Sequence, residues 1–328
     1  MTRKRIVSGM RPTGGLHIGH LHGALMNWKR LQEEYECFYF IADWHALTSE
    51  YARPQIIKES TYDIIIDWIS VGLDPDVSTF FIQSQIYEHA ELHLIFSMFT
   101  PLPWLERNPT YKEQLNELAQ KNIHTYGFLG YPVLQAADIL MYKANGVPVG
   151  EDQAPHVELT REIARRFNNL YGEVFPVPDV LLAPTSKLLG IDRRKMSKSY
   201  ENAIYLSDDD NTIDIKVDQM ITDPQRARKK DPGDPGVCNV FSFHEIYSDP
   251  EIVERIKGEC RTAGIGCVEC KKIMGASLKK GLEPVREKRR ELEKDTGKIK
   301  DIMNEGNKRA KVIAEKTMIE VREAVKLI

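Results

Sequence analysis

His17-Ile18-Gly19-His20 and Lys195-Met196-Ser197-Lys198-Ser199 are the two groups of residues in this chain whose types and spacing suit work on phosphate. The first follows an apolar run, Arg5-Ile6-Val7-Ser8, and a turn-rich stretch, Pro12-Thr13-Gly14-Gly15. It opens a helical pattern through Leu21, Ala24, Leu25 and Trp28, so it reads as strand, tight loop and helix start. A helix start presents amides without partners and a partial positive charge, and both attract phosphate. Gly19 lets adenine or ribose approach the backbone, and His17 and His20 add donors for phosphate oxygens. In the second group two ammonium groups stand three residues apart among small hydroxyl donors, a composition that can close over a triphosphate. Lysines near bridging and terminal oxygens stabilise the charge that grows as pyrophosphate departs. Either motif alone arises often by chance; the two together, in this order, point to nucleotidyl transfer from ATP.

Positioning such residues calls for parallel strands joined by helices, with ligands at the carboxyl ends of the strands. Apolar runs predict strands over Arg5–Gly9, Cys37–Ala42, Ser78–Gln83, Val147–Val149 and Val180–Leu182, and helical spacing predicts helices over Pro54–Val71 and Ala154–Phe167. The expected architecture is α/β, with a Rossmann-type parallel-sheet catalytic domain over residues 1–200, closed by the Lys195–Ser199 loop, and a smaller helical domain over 201–328. An Asp-rich segment, Leu206 to Asp210, follows the loop. The last stretch reads as a hairpin of helices broken near Gly297 and Gly306.

With 328 residues and 42% hydrophobic content the chain is globular. No apolar run reaches about 18 residues and the start lacks the apolar core of a signal peptide, so a cytoplasmic protein without a membrane segment is expected. Net charge is −3, yet residues 271–328 carry 17 Lys and Arg against 10 Asp and Glu. A basic end on an acidic body suits a polyanionic partner.

Four of the five cysteines cluster as Cys238, Cys260, Cys267 and Cys270, while Cys37 sits apart in an apolar strand where a buried, inert thiol is expected. In a cytoplasmic protein such a set suggests a metal rather than disulfides, either zinc or an iron–sulfur cluster. Spacing does not force the choice. Only Cys267 and Cys270 form the close couple that zinc sites usually show twice, whereas a cubane cluster tolerates a scattered set.

The two motifs, with Ser8-Gly9, Pro12-Thr13-Gly14, Asp43-Trp44-His45-Ala46, Tyr131-Pro132-Val133-Leu134-Gln135-Ala136-Ala137-Asp138 and Val147-Pro148-Val149-Gly150-Glu151-Asp152-Gln153, make the chain resemble a class I aminoacyl-tRNA synthetase of the tryptophanyl branch over nearly its whole length. The resemblance implies ATP and Mg2+, a homodimer, and transfer of L-tryptophan to tRNA(Trp) through a tryptophanyl adenylate. By it, His17, His20, Lys112, Lys195 and Lys198 would be catalytic. Met10, Arg11, Pro12, Thr13, Gly19, Gly150, Asp152, Gln153, Met196 and Ser197 would join His20 in holding ATP. Val7, Gly9, His45, Tyr131, Gln135, Asp138, Val147, Val149 and Gln153 would surround the amino acid, with Asp138 accepting the indole N–H. The basic helical domain would bind the anticodon. Some members of this family look similar in carrying a comparable cysteine set with a [4Fe–4S] cluster beside that region, which favours the cluster over Zn2+.

Val7 lies where tyrosine-specific relatives carry a tyrosine, and an apolar residue there favours indole. Yet two departures stand out: tryptophan enzymes often carry an aromatic at the position of Val7 and a methionine at that of Gln135, where a glutamine is similar to the tyrosine branch. The tyrosine counterpart is therefore the nearest alternative, followed by a small nucleotidyltransferase and by an RNA-binding, redox-sensing relative.

Overall fold

The computed structural model describes residues 3–117, 123–183 and 188–328. Five strands, β1 (Arg5–Met10), β2 (Glu36–Ile41), β3 (Thr79–Ile82), β4 (Gly146–Val149) and β5 (Asp179–Leu182), pair in parallel in the order β3-β2-β1-β4-β5. Each lies within two residues of its expected place. After β1 come α1 (Ile18–His20), a π turn over Leu21–Leu25 and α2 (Met26–Leu31); after β2, α3 (Asp43–Glu50) and α4 (Gln55–Ser70). Between β3 and β4 lie α5 (Glu88–Ser97), α6 (Leu102–Glu106), α7 (Pro109–Glu117) and α8 (Tyr126–Met141), and α9 (Ala154–Tyr171) joins β4 to β5. Gly172, with φ +101°, ends α9 in a conformation open to glycine. Then follow α10 (Asp210–Gln219), α11 (Asn239–Tyr247), α12 (Pro250–Arg261), α13 (Cys267–Leu292) and α14 (Thr296–Ala324).

Strand β2 is buried from Cys37 to Ile41, as a strand covered on both faces must be. Alternation along it sends Phe38 and Tyr39 to opposite faces. Phe38 stacks on Tyr142 with centroids 4.9 Å apart, and Tyr39 stacks on Trp28 at 4.3 Å. Trp28 in turn meets Trp68 of α4 edge-on at 5.5 Å. Cys37 is buried, and burial pushes its thiol up to about 11, the inert behaviour expected of it.

The chain divides into two compact units whose boundaries differ from the expected 1–200 and 201–328. One holds the chain up to Gly14, the stretch from Gly23 through β5, and Lys294–Ile328. The other holds Gly15–His22 and the stretch from Leu188 to Glu293. Helix α14 thus belongs with the sheet, because its apolar stripe of Ala310, Ala314, Met318 and Val321 joins the same buried cluster as Phe81, Ala136 and Leu140. Gly306 does not break this helix. An added Cβ there would fall on the carbonyl of Phe80 in β3, so the glycine permits backbone-close packing at the sheet edge. The helices part instead at Glu293–Asp295, where the Asp295 side chain accepts the Lys298 amide at 3.0 Å and caps α14. The basic stretch 271–328 is accordingly shared between the units rather than forming one piece.

Gly15–His22 joins the helical unit through the backbone: the Ile18 amide donates to Ile204 at 3.0 Å and the Leu206 amide to Leu16 at 2.9 Å.

Candidate active site

Within the sheet unit, β1 sits between β2 and β4, the place where the strand order reverses and where such sheets bind ligands. A cavity of ≈ 250 Å³ opens there at the carboxyl ends of β1 and β4. Val7, Gly9, Gln135, Asp138, Val147, Val149 and Gln153 of the expected amino-acid set line it, and so do Met10 and Gly150 of the expected nucleotide set. Gly9 has no room for a side chain, since a Cβ would stand 2.6 Å from the Phe40 ring. Asn27 and Trp28 of α2 also line the cavity and were not foreseen. Their helical phase after the histidine motif was the only signal, and it is the same phase a core residue would show.

Asp138, on α8, is wholly buried. His89 Nδ1 of α5 lies 2.6 Å from its Oδ1, and His45 Nε2 of α3 lies 2.7 Å from its Oδ2. The Gln83 amide, just past β3, donates to both oxygens at 2.7 and 2.9 Å. Burial alone would raise the carboxyl, but the hydrogen bonds and charge interactions with His45 and His89 outweigh it and hold Asp138 well below the usual carboxylate range. The acid therefore remains ionised inside the core. Gln83 and His89 were also missed, because nothing in an isolated Gln-Ser-Gln or Glu-His-Ala tells that three elements converge on one carboxylate.

His45 and Tyr131 stand behind the cavity wall rather than on it. His45 serves Asp138, while the Tyr131 hydroxyl lies 2.9 Å from His156 Nε2 and its ring packs against Phe128. Arg11 donates to the hydroxyl of Ser49, and its buried Nε has no hydrogen-bond partner among the described residues. Thr110, at the start of α7, donates to the carbonyl of Asp152 at 3.1 Å. Lys112 is exposed on α7, next to Tyr111, which packs on Phe128.

The two phosphate motifs lie together in the other unit. The rings of His17 and His20 are 3.7 Å apart, and His20 Nδ1 accepts the His17 amide at 3.2 Å. Burial pushes His17 down to about 4, with Lys198 acting in the same direction, and His20 lies well below its usual value through burial, His17 and Lys198. Both rings are neutral donors at pH 7, and His17 Nδ1 is buried without a hydrogen-bond partner among the described residues. Gly19 brings the backbone against His17, where a Cβ would stand 2.9 Å from Nδ1, with the Met196 sulfur 3.5 Å away.

The lysine loop is fastened at its base. Gly190 donates to the Arg194 carbonyl at 2.7 Å, the Ser197 amide donates to Asn202 Oδ1 at 2.8 Å, and Asn202 Nδ2 donates to Asp192 at 2.7 Å and to the Lys195 carbonyl at 3.2 Å. The staple holds the loop backbone, with Lys195 exposed and Lys198 half-buried.

Cys238, Cys260, Cys267 and Cys270 come from the lead into α11, the end of α12 and the first turn of α13, and each thiol lies within electrostatic reach of the other three. Burial raises Cys238, Cys260 and Cys270, the last to about 12, and the neighbouring thiols add to the effect. Among the described residues no three His, Cys, Asp or Glu side chains already stand at the spacing of a bound metal ion. The donor chemistry fits a group that takes four thiolates. No helix among the described residues is long and apolar enough to cross a membrane.

A family profile described as tRNA synthetases class I (W and Y) matches residues 2–283. A tryptophan–tRNA ligase of Thermotoga maritima is 53% identical over 326 residues, covering 99% of both chains. One of Aquifex aeolicus is 47% identical over 393 residues, covering 98% of this chain and all of the relative. Among solved structures, a Campylobacter jejuni tryptophanyl-tRNA synthetase complexed with ADP and tryptophan superposes with a TM-score of 0.90 at 33% identity, covering 98% of this chain and 99% of that one.

Proposed function

The chain belongs to the class I tRNA synthetases that serve tryptophan and tyrosine, and from that membership we infer the amino acid and the course of its reaction. It is an ATP-dependent ligase that joins tryptophan to tRNA. The observation that carries the choice of amino acid is the cavity: Val7, Val147 and Val149 on its walls, and Asp138 as its single carboxylate among the described residues. An indole needs apolar surface and one acceptor for its N–H, and a buried donor without a partner costs about 1–3 kcal/mol.

In the first step a carboxylate oxygen of tryptophan attacks the α-phosphorus of ATP. The acyl–oxygen–phosphorus bond forms and pyrophosphate leaves with the electrons of the broken P–O bond. In the second, the 2′-hydroxyl at the end of tRNA(Trp) attacks the acyl carbon and AMP leaves. Neutral His17 and His20 donate N–H groups to phosphate oxygens, while Lys195 and Lys198 meet the charge that grows on pyrophosphate. Mg2+ supplies further charge neutralisation on the triphosphate when bound. Lys112, at the α7 edge of the sheet unit, is assigned to the same task by its match to the family lysine.

The four thiols support a [4Fe–4S] cluster rather than Zn2+ as their occupant, since only one close couple is present. Helices α10 to α13 are the part of the expected 201–328 region to which we assign the anticodon. Leu94 of α5, Met98 just past its end and Leu102 of α6 are exposed, and these apolar side chains support a homodimer.

Amino-acid-dependent exchange of pyrophosphate into ATP tests the reading. Tryptophan should drive exchange at least about a hundredfold better than tyrosine, the scale a hydrogen-bonding pocket can enforce. Exchange that runs on tyrosine, or on neither, defeats it.

A further inference from the structure

The carboxylate at the cavity wall is already filled by the protein. A carboxylate accepts along about four lone-pair directions. Asp138 uses them on His89 at 2.6 Å, His45 at 2.7 Å and the bridging amide of Gln83 at 2.7 and 2.9 Å. Behind His89 the network continues, with its Nε2 lying 2.7 Å from the Tyr142 hydroxyl. His89, Tyr142 and Asp138 are all wholly inaccessible to solvent, so no water can take over any of these contacts.

The donors run in one direction. With Nδ1–H given to Asp138, Nε2 is the ring nitrogen left to the Tyr142 hydroxyl, whose O–H donates to it in the neutral tautomer. Burial raises the Tyr142 hydroxyl well above its ordinary value, which keeps that proton in place. His89 would otherwise be free to adopt the tautomer that turns a lone pair toward the carboxylate, and that tautomer would repel it.

We propose that His89, fixed in one tautomer by Tyr142, is the positioning residue that keeps Asp138 an oriented acceptor for the indole N–H. The inference rests on the tryptophan reading above and goes past it, because it assigns selectivity to two residues that line no part of the cavity. Gln83 spans both oxygens with one amide group and makes the longest of the four contacts, so it is the donor that yields to the substrate. His45 and His89 stay.

Selectivity for the N–H is read with 3-benzothienyl-L-alanine, which has the bicyclic shape of tryptophan with sulfur in place of N–H. Pyrophosphate exchange is measured with both amino acids on the intact protein. The wild type should prefer tryptophan in kcat/KM by about 10–100-fold, the range of one unmade buried hydrogen bond. His89→Leu should bring that preference to within about threefold, chiefly by raising KM for tryptophan and leaving the analogue unaffected. His89→Asn, whose side-chain amide reaches the position of Nδ1, should restore most of the preference. Tyr142→Phe removes a single hydroxyl and gives a reading even if the leucine variant does not fold; it should lower the preference by about threefold.

An unchanged preference in both the His89→Leu and Tyr142→Phe variants overturns the proposal. So does a loss that strikes both amino acids equally, since that is what damage to packing alone would produce. A wild type that uses tryptophan but ignores the difference between the two side chains also overturns it, while leaving the ligase reading intact. Failure of the wild type to use tryptophan at all is a failure of that reading, and it is seen before any variant is made.

Discussion

Asn239 donates its side-chain amide to the carbonyl of Gly190 at 2.8 Å, and Asn239 is the residue immediately after Cys238. Gly190 is the base of the stapled loop that carries Lys195 and Lys198, so the first turn of α11 ties the cysteine region to the phosphate loop inside one compact unit. Disturbance of the thiols should therefore be felt at the ATP end as well as at the tRNA end. Replacing Cys267 with Ser should abolish iron and sulfide binding and lower the melting temperature of the helical unit. Tryptophan-dependent pyrophosphate exchange should fall by about three- to tenfold and tRNA charging by more. Iron and sulfide analysis of anaerobically prepared protein, run beside both activities, checks it; zinc in place of iron sinks the cluster, and exchange at the wild-type rate in iron-free protein sinks the link through Asn239.

Lys195 is exposed on a loop whose backbone is held by Asn202. Its removal should leave that backbone in place and delete only charge that acts as pyrophosphate departs. Lys195→Ala should reduce kcat for adenylate formation by about 100-fold or more with little change in KM for tryptophan. Single-turnover measurement of adenylate would show the split; a raised KM with unchanged kcat would argue for a role in ground-state binding.

The depressed His17, at about 4, and the low His20 give ATP binding a proton signature. Free protein holds both rings neutral near pH 6.5. Bound phosphates favour the charged form and raise both values, so Mg-ATP binding should take up protons at that pH, and progressively fewer as pH rises above 7. Calorimetric titrations in buffers of different ionisation enthalpy measure the uptake directly. His17→Asn should diminish it, and a buffer-independent heat in the wild type would mean that phosphate does not meet these rings.

Gly306→Ala places a methyl group against the Phe80 carbonyl, an atom of backbone that cannot turn aside. Helix propensity would favour alanine by up to about 1 kcal/mol, but overpacking at this spot should cost about 3 kcal/mol and win. Urea denaturation should give a lower midpoint. A more stable alanine variant would mean that α14 can lift from β3 at little cost.

Sequence reading located all five strands because continuous apolar runs bounded by turn residues survive in any parallel sheet, as in Cys37 to Ile41. Half of the cavity's lining residues lie in the short motifs that the sequence displays, among them Val7 and Gly9 of β1 and Gln135 and Asp138 of α8. It failed where the outcome depended on distant pairings. Gly306 looks like a helix breaker until Phe80 is set against it, and His89 looks like a surface histidine until α5 and α8 are brought together. The units were misdrawn for the same reason: the amphipathic stripe of α14 says that it must pack, not on which partner.

The seat of α14 on the sheet also bears on how the protein is made. Strand β3 lies at the edge of the sheet, and its Ile82 amide is satisfied by Asn307 Oδ1 at 2.9 Å, while Arg309 donates to the carbonyls of Pro75 and Ser78 at 2.7 and 3.3 Å. A ribosome delivers β3 more than two hundred residues before those partners, so a nascent chain carries an open strand edge and an incomplete core while the larger part of the helical unit is being translated. At about 5–20 residues per second that interval lasts about 10–45 seconds, long enough for holdase chaperones to matter to its yield.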